Sequence, residues 1–135
     1  AQIEYVKAHT TTEHTDQKRA TAGEYGAATA GYAGAATAGE YGAATAGEYG
    51  AATAGNRGAA TSRGSSAVGE NGLAVARGNG VKVKGGLGAV LVLAEEEKTS
   101  YKVASYKVAV VDGESIKADT WYRLVDGEFM EVSDD

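Results

Sequence analysis

Small apolar and polar positions alternate between Thr21 and Ala60 with a fixed period of eight. The octads read TAGEYGAA, TAGYAGAA, TAGEYGAA, TAGEYGAA and TAGNRGAA. Eight residues match neither the 3.6-residue turn of a helix nor the 3.5-residue seam of a coiled coil. The period suits a strand of about four residues followed by a turn of about four, stacked as a solenoid. Gly23 and Gly26 bracket Glu24 and Tyr25, and the same spacing recurs at 39/42, 47/50 and 55/58. Glycine at both shoulders is expected to supply the positive φ of a corner and to let rungs stack closely. Two octads make one 16-residue coil with two facing parallel sheets. Continued from residue 21 to 92, this gives roughly four and a half coils, about 20 Å of rod at ordinary strand spacing.

After Thr61 the pattern drifts. Its register breaks at Arg63-Gly64-Ser65-Ser66 and resumes at Gly69-Glu70-Asn71-Gly72. The later strands read Leu73-Ala74-Val75-Ala76, Val81-Lys82-Val83-Lys84 and Ala89-Val90-Leu91-Val92. Lys82 and Lys84 must face water, which turns Val81 and Val83 inward. Counting back from the corners then favours Leu73 and Val75, and in turn Ala27 and Thr29, on the inward face. In that parity Ala28, Ala30, Ala44 and Ala46 point outward as a bland surface for a partner or a second copy. The opposite parity sets Thr21, Thr29, Thr37, Thr45, Thr53 and Thr61 outward as a flat rank.

Three zones follow: a lead over 1–20 with a short helix near 2–8, the solenoid over 21–93, and an antiparallel β meander over 94–135. Glu95-Glu96-Glu97-Lys98 reads as a solvated turn. Asp112-Gly113 and Asp126-Gly127 are hairpin signals. The chain's only Trp, Phe and Met lie in the meander, so it is expected to hold the conventional core and to cover the open end of the solenoid. The expected fold class is all-β: a β-solenoid capped by an antiparallel meander.

Composition narrows the function. Of 135 residues 43% are hydrophobic, largely alanine, and 7% aromatic, so stability must come from a regular ladder and close packing of small side chains. A net charge of −5 argues against a nucleic-acid partner. There is no Cys, hence no disulfide framework. The longest apolar run, Leu87 to Ala94, is too short for a membrane helix. No signal peptide is visible.

The octads, the segment SSAVGENGLAVARGNGVKVKGGLGAVLVLAEE and the tail VVDGESIKADTWYRLVDGEFMEV together resemble the C-terminal part of an uncharacterised family common in phages and prophages. Members of that family often carry a further N-terminal domain. Ser66-Ala67-Val68-Gly69 is similar to the head repeats of trimeric autotransporter adhesins, which form left-handed β-rolls. Neither resemblance implies a reaction.

Few residues invite chemistry. His9, Glu13 and His14 have metal-ligand types, but their spacing and the Thr run between them read as a solvated linker. Gly78-Asn79-Gly80 and Gly85-Gly86-Leu87-Gly88 lack the Lys-Ser/Thr ending of a phosphate loop and read as corners. The corners carry no Asp series for a calcium ladder, and no nucleophile–base–orienter set is visible. The expectation is a non-enzyme without cofactor or small-molecule substrate, with a protein partner or a homo-oligomer. Tyr25, Tyr41 and Tyr49 sit at corners, Tyr25 and Tyr41 on one edge and Tyr49 on the other, as rung-stacking groups or as a contact surface. Arg57 is placed to relieve repulsion between Glu24 and Glu40. The functional classes are a structural or interaction module, an ice-binding protein using the Thr row, and a glycan- or surface-binding module using the corner tyrosines.

Overall fold

In the computed structural model, residues 19–132 are described and carry strands, turns and bends without a helix. The expected helix near 2–8 and the His9–Glu13–His14 group lie outside the described residues. The strands are β1 (Arg19–Thr21), β2 (Ala27–Ala30), β3 (Ala35–Thr37), β4 (Ala43–Thr53), β5 (Ala59–Ala67), β6 (Leu73–Gly78), β7 (Lys82–Lys84), β8 (Val90–Glu96), β9 (Val103–Val110), β10 (Tyr122–Val125) and β11 (Glu128–Glu131).

They coil into a β-solenoid of about five turns. One face stacks β2, the first half of β4, the first half of β5, β6 and β8 in parallel. The opposite face stacks β1, β3, the second half of β4, the second half of β5 and β7. The octad sets this register directly, because Thr29, Thr45 and Thr61 fall beside one another on the first face and Thr21, Thr37 and Thr53 on the second.

The threonines are exposed, and the expected inward parity is overturned. Ala28, Ala30, Ala44 and Ala46 are buried and form the core, so they offer no surface to a partner. Val81 and Val83 are indeed inward, but Ala74 and Ala76 are buried where Leu73 and Val75 were expected. Seven residues separate buried Ala74 from buried Val81, whereas an octad places eight between buried Ala28 and Ala36. An odd step at the Arg77–Gly80 corner reverses every side chain carried back across it.

The corners close through backbone bonds from Gly26 N to Gly23 O (3.0 Å) and Gly42 N to Gly39 O (3.0 Å). Positive φ falls on the residue before the second glycine, at Tyr25, Ala33, Tyr41, Tyr49, Arg57 and Asn71, and not on the shoulders. The shoulder glycines serve close approach: a Cβ on Gly42 would stand 2.8 Å from the Ala38 Cβ and 2.9 Å from Gly26 O.

The core widens along the axis from paired alanines to Leu91, Leu93, Val81 and Val83. At that end the two faces are closed by antiparallel strands, β9 on β8 and β10 on β7, with β11 outside β10. The C-terminal strands therefore extend both sheets and do not form one separate meander. Asp126-Gly127 makes the expected two-residue hairpin, with φ of 51° and 80°. Asp112-Gly113 does not. The Asp112 carboxylate accepts from the amides of Glu114 (2.8 Å) and Ile116 (3.0 Å), and the chain crosses the end of the stack to β10. Tyr122 and Leu124 are buried there with Phe129 packed against them, while Met130 is exposed and Trp121 lies on the outer surface.

Candidate functional site

Among the described residues, the chemistry of this fold lies on two outer faces and two edges. Each edge is built from corners. Tyr25 and Tyr41 stack with ring centres 5.0 Å apart and planes 5° from parallel. Arg57 continues that stack 5.3 Å from the Tyr41 ring centre and bonds Glu40 at 3.0 Å. Tyr49 occupies the other edge, edge-on to Tyr32 at 5.6 Å. One coil of 16 residues brings Tyr41 over Tyr25 and Arg57 over Tyr41, whereas Tyr49 lies over Ala33 and meets Tyr32, one place earlier, edge-on.

The Tyr49 edge changes character where the coil shortens. Ala59 pairs with Leu73, a step of fourteen residues instead of sixteen, and the corner contracts to Ser62-Arg63-Gly64. Ser62 and Ser66 turn inward and bond each other at 2.9 Å, and the Ser66 hydroxyl donates to Val75 O at 2.7 Å. They satisfy polar groups that the tighter bend would strand in an alanine core. Beside them Glu96 is buried at 4% exposure and was missed as part of a solvated turn. Arg63 clamps its carboxylate through both guanidinium nitrogens (3.0 and 2.6 Å), and Arg77 Nε adds a bond of 2.5 Å. The Arg63 bonds, helped by Arg77, hold the Glu96 carboxyl below the usual carboxylate range against the opposing effect of burial. Asn79 donates to the Glu96 carbonyl. A cleft of about 100 Å³ opens over this cluster, lined also by Glu48, Tyr49, Lys98 and Tyr101. The sequence signals were the broken corner at Arg63 and a Glu run following an apolar strand.

On the first face, Ala27, Ala43 and the Thr29–Thr45–Thr61 rank give way to an aliphatic block. Leu73, Val90 and Val110 lie side by side, as do Val75, Val92 and Val108, with Tyr106 next along β9 opposite Ala94. Val108 and Val110 are 55% and 54% exposed. The second face carries the Thr21–Thr37–Thr53 rank and ends differently. Lys82 and Lys84 project outward, with their Nζ atoms 4.7 and 4.9 Å from the Trp121 ring centre. Arg123 stands directly across from Lys82 on the neighbouring strand.

Among the described residues no group of three or more His, Cys, Asp or Glu is placed to hold a metal ion, and no helix is long and apolar enough to cross a membrane. Comparison with models of known protein families, with curated proteins and with solved structures returns no match.

Proposed function

We propose that the protein is a non-catalytic β-solenoid module, a rigid spacer that displays its two flat faces, as a phage or prophage structural protein would require. The observation that carries this reading is the parallel ladder continuing from β1 through β8 with both of its C-terminal edges covered by antiparallel strands. A ladder without hinge or linker favours stiffness, since each rung is bonded along its length to the next. Small-angle scattering tests it: the expected result is a single stiff body about 30 Å along the stacking axis, from the six spacings between the seven strands of the longer face. A broad distribution of intramolecular distances, without the shape of one stiff body, would sink the idea.

Self-association belongs to this reading, through the aliphatic block and not through the buried alanines. The block is a contiguous apolar patch of roughly 200 Å² in projection. Sedimentation at rising concentration should show a dimer that Val108→Lys abolishes. A strict monomer at high concentration removes self-association and leaves the spacer reading intact.

The outward threonines support a second reading, ice binding. Each face presents an evenly spaced rank of hydroxyls and methyls on a flat sheet, with rungs about 4.8 Å apart. Thermal hysteresis measured at millimolar protein decides it, and a value of zero rules it out.

A further inference from the structure

We propose that Lys82, Lys84 and Arg123, ordered by Trp121, form a binding site for an acidic saccharide, with its carboxylate among the three cations and its sugar chain along the second face. Two ammonium groups are held within about 5 Å of one ring centre, well inside a Debye length of each other. Arg123 adds a third positive charge on the adjoining strand. The indole favours this arrangement through its π face, but it cannot neutralise three charges.

No carboxylate among the described residues does so. The acids of the adjoining β11 are engaged elsewhere, Glu128 with Lys107 and Glu131 with Lys117. Glu96 and Glu40 hold the arginines of the two corner edges. In a chain with a net charge of −5, an uncompensated cluster of three cations is the exception, and mutual repulsion within it falls when an anion enters.

The surface beside the cluster decides the class of anion. From Lys84 the register column runs through the buried Ala67 to the exposed Thr53, Thr37 and Thr21, and from Lys82 it runs through Ser65, Ala51 and Ala35 to Arg19 at the far edge. Between the lysines and Arg19 that track is uncharged and lined by hydroxyls and methyls, which match the hydroxyls and C–H faces of pyranose rings. A nucleic acid needs cations spaced along its whole path, and this path has a cluster at one end and a single further cation, Arg19, four rungs away at the other. A saccharide with a uronate at its charged end fits both parts. Trp121 is a positioning residue, since its outer face is occupied by the lysines.

Trp121 is the only tryptophan of the chain, so its emission reports the site without labelling. The full chain is titrated with trigalacturonate, with the neutral galactotriose, with oligo-dT and with sodium sulfate, and the affinity is checked by calorimetry. The expected result is a saturable change with trigalacturonate alone that weakens with salt and falls roughly tenfold in Lys84→Gln, one charge-assisted contact's worth. Lys82→Gln with Arg123→Gln should abolish it, while the melting temperature of both variants stays near that of the parent because all three side chains lie on the surface. The proposal is overturned by the absence of a saturable change, by an equal response to the neutral triose, by tighter binding of oligo-dT, or by sulfate saturating the site at the same concentration.

Discussion

At Ala33 the backbone adopts φ of 54°, in the region that L-residues enter at a cost of roughly 1–2 kcal/mol. Ala33→Gly relieves that cost at the expense of a more flexible unfolded chain, so a net gain of about 0.5–1 kcal/mol is expected in chemical denaturation. The same position in other octads is Tyr25, Tyr41, Tyr49 and Arg57, whose stacking and ion pairing offset the strain. Parity offers a paired test at neighbouring residues. Thr37 is outward and Thr37→Val should change stability by less than about 0.5 kcal/mol. Ala36 is buried in an all-alanine layer, and Ala36→Val should cost about 1–3 kcal/mol by overpacking. Equal effects from the two would put the assigned faces in error.

Glu96 governs the scale of the element, because it ties the shortened corner to the end of β8. Its depressed pKa fixes the sign of a pH effect. The carboxylate stabilises the fold above the carboxyl's unfolded value, near 4.5, and that contribution is lost as pH falls through the lower folded value. Thermal melts from pH 7 down to 2 should therefore show a loss of stability in the parent below about 4.5, and Glu96→Gln should flatten that part of the profile. Glu96→Ala should cost about 2 kcal/mol at neutral pH, less than the 3–5 typical of a broken buried pair. The reduction arises because Arg63 and Arg77 remain 36% and 50% exposed and can rehydrate. Carrying the alternation of Leu91 and Leu93 onward puts Glu95 in the core register, and it is the register shift between Glu95 and Glu96 that turns Glu96 inward. Its partners are no more legible: Arg63 and Arg77 precede it by 33 and 19 residues, and only the coiling of the chain brings them together.

Across the whole molecule, the two faces start alike and end differently. Both begin as ranks of Thr and outward Ala; one ends in aliphatic side chains, the other in lysine, arginine and tryptophan. The period of eight, the strand-and-corner alternation, the pairing of Tyr25 with Tyr41 and of Arg57 with Glu40, and the Asp126-Gly127 hairpin were all determined by the sequence itself. Each depends on local turn chemistry or on simple addition of the repeat length. Side-chain parity, the burial of Glu96 and the division of the C-terminal strands between two sheets were decided only by the tertiary structure. The physical reason is the same in all three. A strand reverses its faces at each odd step, and the lengths of the irregular corners are set by packing against the rung below, which no single segment of the chain contains.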